Sequence, residues 1–219
     1  MRVALDTETS GLTAGYHEIL EIAIVPLDDN YFPDPNVPVF HTKVRPEFPE
    51  RIQLGALIAN GRVSKENKDD PNAFEAAKKE MESYPTRRET IGAFLEWYKE
   101  NVLPTGKKQM SPLAHNWHFD SSFLEHWFLP SHKDGISFIG TYFHYQARDT
   151  QRIVMYLQDR SIVKKVPTPF PGTSLTKVTG HFEIEHSAAH TAMGDAIATA
   201  AVYRRLCDIK DDLAPAPRS

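Results

Sequence analysis

The chain has 219 residues, 41% hydrophobic and 25% charged, which suits one soluble domain with a sizeable core, or one domain plus an elaboration. Its formal charge of −4 excludes a protein coated in a broad basic surface, but not nucleic-acid substrates, since four carboxylates holding two divalent cations would come close to neutrality. The single cysteine, Cys207, excludes an internal disulfide framework and a cysteine-built metal cluster, and no apolar run is long enough to span a bilayer.

Arg2 to Leu5 reads as a first strand. Directly after it comes Asp6-Thr7-Glu8-Thr9-Ser10-Gly11-Leu12. Residues two apart on a strand share a face, so Asp6 and Glu8 present two carboxylates side by side, costly unless a cation or a proton joins them. The alternative is that Glu8 and Thr9 simply begin the turn that Gly11 completes. These acids also sit where a signal peptide would need its apolar core, which leads us to expect an intracellular, cytoplasmic protein.

Ile19 to Val25 is a second strand, stopped by Pro26, and Val39 to Val44 a third, giving an antiparallel meander. Ile52 to Ile58 suggests a short helix closed by Asn60-Gly61. Ala73 to Glu82 reads as an exposed helix within an elaboration over 64–85. Thr86 with Glu89 forms a capping box, and Ile91, Phe94, Leu95, Tyr98 and Val102 follow on one helical face. Met110 to Ala114 returns as a strand. Asp120 to Phe128 is a helix buried through Phe123, Leu124, Trp127 and Phe128. Asp149 caps a helix through Leu157, a Pro-containing loop covers Ile162 to Thr173, and Thr191 to Cys207 is the last helix. Strands early and alternating elements later point to an α/β fold. The expected organisation is a single domain over 1–209, with elaborations at 64–85 and 158–173 and a polar tail over 210–219.

Two further motifs carry chemistry. The first is His115-Asn116-Trp117-His118-Phe119-Asp120, at a strand-to-helix junction. Asp120 there is either functional or only an N-cap or first-turn acid favoured by the helix dipole. The second is His190 followed five positions later by Asp195. Asp195 lies on an alanine-rich helix, and His190 cannot share its face. His190 therefore belongs to the preceding loop, either reaching the same site or serving only as a helix-entry residue. Four carboxylates suit Mg²⁺ or Mn²⁺, and a histidine is a suitable base for a water.

In these three ordered motifs the chain resembles the DnaQ-like 3′→5′ exonucleases, in their DEDDh subgroup, on the ribonuclease-H-like fold. The resemblance extends through Asp149-Thr150, Ser174-Leu175 and Thr199 to Tyr203, and covers most of the chain. It implies a mixed sheet, three antiparallel strands followed by parallel ones, with flanking helices. It also implies that Asp6, Glu8, Asp120 and Asp195 hold two divalent ions, Mg²⁺ or Mn²⁺, and that His190 deprotonates the attacking water. Thr9, Leu12, Asn116 and Phe119 would meet the terminal nucleotide. The expected partner is the 3′ end of single-stranded DNA or RNA, shortened to nucleoside 5′-monophosphates. Lys164 and Lys165 are a candidate guide for the substrate backbone, in competition with Lys107-Lys108 and Arg87-Arg88. A homodimer or polymerase association is left open, as are two rivals: a catalytically silent binding module of the same fold, and a ribonuclease-H-like endonuclease.

Overall fold

The computed structural model describes residues 1–128 and 137–209, Phe128 without its side chain. The expected tail over 210–219 and burial of Phe128 lie outside the described residues. The described strands form one five-stranded sheet in the order β3-β2-β1-β4-β5. They are β1 (Arg2–Thr9), β2 (Ile19–Leu27), β3 (Phe40–Lys43), β4 (Ser111–Ala114) and β5 (Arg148–Asp149). β1 to β3 pair antiparallel, whereas β4 and β5 run parallel to β1, as expected. The carboxyl ends of β1, β4 and β5 therefore open on one edge of the sheet.

Eight α-helices are described: α1 (Leu54–Ala59), α2 (Pro71–Met81), α3 (Arg87–Asn101), α4 (Trp117–Phe128), α5 (Phe138–Tyr142), α6 (Thr150–Lys164), α7 (Leu175–His181) and α8 (Ala192–Cys207). Strand alternation sorts them between two faces. Val3 and Leu5 point to one face and pack with Phe94, Trp97, Phe123 and Leu124 of α3 and α4. Ala4, Ala23 and Val25 point to the other, where Ala192, Ala196 and Ala200 of α8 lie directly on the sheet. Small residues on both sides bring the α8 backbone close, so the next β1 residues on that face, Asp6 and Glu8, project beside its first turn.

Several boundaries differ from expectation. β1 continues through Asp6–Thr9, because that stretch still pairs with β2, as far as an irregularity between Glu8 and Thr9. β2 runs through Pro26, which sits opposite Val3. The Thr86 capping box forms as expected, but Leu95 is 40% exposed and Trp97 takes its place in the core. α2 is not simply exposed: Ala77 and Met81 close a satellite core with Leu20, Ile52 and Leu57. α6 continues to Lys164, so the first residues of the expected 162–173 loop are helical. α5 and α7 are additional short helices.

Candidate functional site

Asp6, Glu8 and Asp195 each offer a carboxylate oxygen, and these oxygens lie within 4.8 Å of one another. All three keep part of their surface open to solvent. Burial pushes the Glu8 carboxyl up to about 8, with the Asp195 and Glu21 charges adding to it. Asp6 is raised well above the usual carboxylate range by burial first and then by Asp120, Glu8 and Asp195. Glu21 stands directly opposite Glu8 in the register. Burial alone would raise its pKa, but bonds from His41 and the charge of Arg62 hold it below its ordinary value. Arg62 reaches Glu21 Oε2 at 3.1 Å, and its charge offsets only part of the rise at Glu8. A cluster of acids that repel one another and are only partly compensated fits a hard divalent cation.

Asp120 lies outside that group of three but close enough for its charge to raise Asp6. It lies inside the first turn of α4, so it is a first-turn acid and not the N-cap. The Thr7 backbone N–H and hydroxyl donate to Asp120 Oδ1 at 2.9 and 2.7 Å. These bonds favour the charged form, yet burial prevails and pushes Asp120 up to about 7. Thr7, between the two acids of β1, thereby ties them to Asp120.

Asp149 sets the approach of α4. It caps α6 by accepting from Gln151 and Arg152 N–H, and it also accepts from Asn116 and Trp117 N–H at 3.0 Å each. One carboxylate thus fixes the starts of two helices. Asn116 makes the turn at φ 75°, a left-handed conformation that asparagine tolerates. His115 bridges Thr150 and the Thr173 carbonyl at 2.8 Å each, bolting the chain before α7 to the end of β4. Burial lowers its pKa, which fits this structural role.

Asp195 projects from the first turn of α8. His190 N–H donates to its Oδ1 at 3.2 Å, while the His190 side chain belongs to an exposed residue at φ 69° in the loop. Thr191 caps α8 by accepting from Gly194 N–H and donates to the Ala188 carbonyl. Gly194 permits that fold-back, since a Cβ there would lie 2.1 Å from the Ala188 oxygen.

A family model described as Exonuclease (RNase_T) matches residues 3–203. The chain belongs to the RNase_T exonuclease family. It is DnaQ-like, on the ribonuclease-H-like fold. Among solved structures it is similar to E. coli Exonuclease I in complex with a dT13 oligonucleotide, at 18% identity and a TM-score of 0.67, covering 95% of this chain and 41% of that one. The zinc ion bound form of an E. coli ExoI-ssDNA complex matches at 18% identity and a TM-score of 0.65, over 94% and 42% of the two chains. Cell-death related nuclease 4 (CRN-4) matches at 15% identity and a TM-score of 0.62, over 94% and 63%. The chain spans about two-fifths of the length of the Exonuclease I structures. No curated protein matches it by sequence. Among the described residues no helix is long and apolar enough to cross a membrane.

Within this exonuclease-family fold, the residues expected to meet the nucleotide stand differently. Leu12 is 79% exposed and available for contact. The Thr9 hydroxyl is turned inward, onto the Gly11 carbonyl at 2.7 Å. The Phe119 ring lies 4.9 Å from that of Phe123 and packs on the core, and Asn116 orders the turn. Lys164 and Lys165 end α6, whose first residue follows Asp149; fifteen residues at 1.5 Å each put them about 22 Å along the helix from the acids' edge. Two features were not anticipated. Glu21 was detectable as the lone acid of an apolar strand. His186, whose Nε2 donates to Asp195 Oδ1 at 2.6 Å, lies in a loop where no periodicity marks it.

Proposed function

We propose that this exonuclease-family domain hydrolyses single-stranded DNA or RNA from the 3′ end, releasing nucleoside 5′-monophosphates. The observation that carries the reading is the convergence of Asp6, Glu8 and Asp195 within 4.8 Å, with Asp120 tied to the same strand through Thr7. In this reading the four acids hold two divalent ions, Mg²⁺ or Mn²⁺, which would activate a water and stabilise the leaving oxygen. His190, on the exposed loop before α8, accepts the proton of that water, a task suited to an imidazole near neutral pH. Its backbone bond to Asp195 keeps the base beside the acids while its side chain remains outside the core. Exposed Leu12 offers an apolar surface to the terminal base, a contact that tolerates any sequence. Thr9 contributes through its backbone, since its hydroxyl is already engaged. Asn116 and Phe119 act by shaping the β4–α4 turn.

The test is a 5′-labelled single-stranded oligonucleotide incubated with protein and Mn²⁺, in matched DNA and RNA versions. A ladder shortening by single nucleotides, abolished by EDTA and by Asp120→Ala, is expected. Internal fragments, or activity that survives Asp120→Ala, would overturn the assignment.

A further inference from the structure

A buried histidine outside the proposed chemistry sits against the acid cluster. The His186 side chain is 9% exposed, and Nε2 donates to Asp195 Oδ1 at 2.6 Å. Its other ring nitrogen, Nδ1, is buried with no hydrogen-bond partner among the described residues. The bond to Asp195 is therefore the polar contact that orients the ring. The His190 backbone N–H donates to the same Asp195 oxygen, so both donors converge on Oδ1.

This matters because the terminal torsion of an aspartate is broad and nearly two-fold, leaving an unbound carboxylate free to turn. Two donors on Oδ1 restrain the carboxylate and leave Oδ2 free of both. The donors are themselves fixed. Thr191 bonds the Ala188 carbonyl at 2.8 Å, and the absence of a Cβ at Gly194 lets that carbonyl lie on the first turn of α8. His186, Ala188, His190 and Asp195 thus belong to one tight fold-back, in which the orientation of the acid and the entry of the loop histidine are set together.

We propose that His186 is a positioning residue for the metal centre, holding Asp195 through Oδ1 so that Oδ2 is presented to a divalent cation beside Asp6 and Glu8. This rests on the reading of those acids as metal ligands. Hydrogen-bond partners of metal ligands typically change metal affinity about 10–100-fold when removed.

Two crossed substitutions test it. His186→Phe keeps a ring in the slot and removes the donor, whereas His186→Gln keeps an amide donor at similar reach and removes the ring. Mn²⁺ binding is measured by calorimetry without oligonucleotide, with the metal-free melting temperature recorded for each variant. The expected result is Mn²⁺ affinity weakened about 10–100-fold in the Phe variant and largely retained in the Gln variant. A role confined to packing would instead make affinity follow the melting temperatures. Wild-type affinity in the Phe variant, or a Gln variant as weak as the Phe variant, overturns the proposal. Should the Phe variant not fold, His186→Leu, which also lacks a donor, takes its place under the same criteria. Wild-type protein that binds no Mn²⁺ would refute the metal-centre reading itself, a separate and recognisable outcome.

Discussion

Raising the pH should destabilise the metal-free protein, and divalent cations should abolish that dependence. Glu8 has its carboxyl raised from 4.5 to about 8, and Asp120 from 3.8 to about 7, in both cases chiefly by burial. A carboxyl whose folded pKa lies above its unfolded value binds its proton more tightly when folded. Its stabilising contribution is complete below the unfolded pKa and is lost as pH rises to the folded one. Over pH 6.5–8.5 two groups oppose the trend: His115 and the N-terminal amine, both lowered chiefly by burial, take up protons on unfolding. Within this window Glu8 titrates over about 1.5 units and Asp120 over about half a unit, and at 1.36 kcal/mol per unit these two carboxyls lose about 2–3 kcal/mol, which the two bases offset in part. For a domain of this size the carboxyl loss alone corresponds to a fall of roughly 4–12 °C in melting temperature. Thermal melts in EDTA at several pH values measure it, and repeating them in millimolar Mn²⁺ should give a flat or rising profile, because cations take the place of the protons. An EDTA profile that is flat or rises across the window would refute the account of mutually repelling, desolvated acids.

Other consequences follow from the same geometry. Glu8→Gln removes a desolvated charge and should make the metal-free protein more stable than wild type above pH 8 while eliminating Mn²⁺ binding; melting and calorimetry read both. His190→Ala should lower kcat about 10²–10⁴-fold with little change in Mn²⁺ affinity, as removal of a general base does. Asp149→Ala leaves the starts of α4 and α6 without a shared acceptor and should cost about 3 kcal/mol in denaturant melts; a loss below about 1 kcal/mol would show that the cap is dispensable.

The sequence made the site more legible than its surroundings. Asp6 and Glu8 were visible because strand alternation is local, and the Thr86 capping box because its two partners lie three residues apart. Which residues would meet Asp6 and Glu8 was implied only by family resemblance, since the approach depends on alanines of α8 lying flat on β1 and β2. The hidden parts are those whose partners are distant. Asp149 reads as an ordinary cap from sequence, and its bonds to Asn116 and Trp117, 33 and 32 residues away, arise only when β4 and β5 pair. His186 meets Asp195 across an irregular loop that Gly194 permits. α6 overran its expected end because Ile162 and Val163, read as loop, continue the helix on an exposed face. Phe119, expected at the nucleotide, is partly buried against Phe123, a contact set by tertiary packing.

Whether hydrolysis starts from the 3′ end can be read in one paired measurement. Two single-stranded oligonucleotides of the same sequence, one labelled at the 5′ end and one on the 3′-terminal nucleotide, are digested with Mn²⁺. The 3′ label should leave first, as a mononucleotide, while the 5′ label passes through every intermediate length. Early release of the 5′ label, or simultaneous appearance of internal fragments from both, would contradict it.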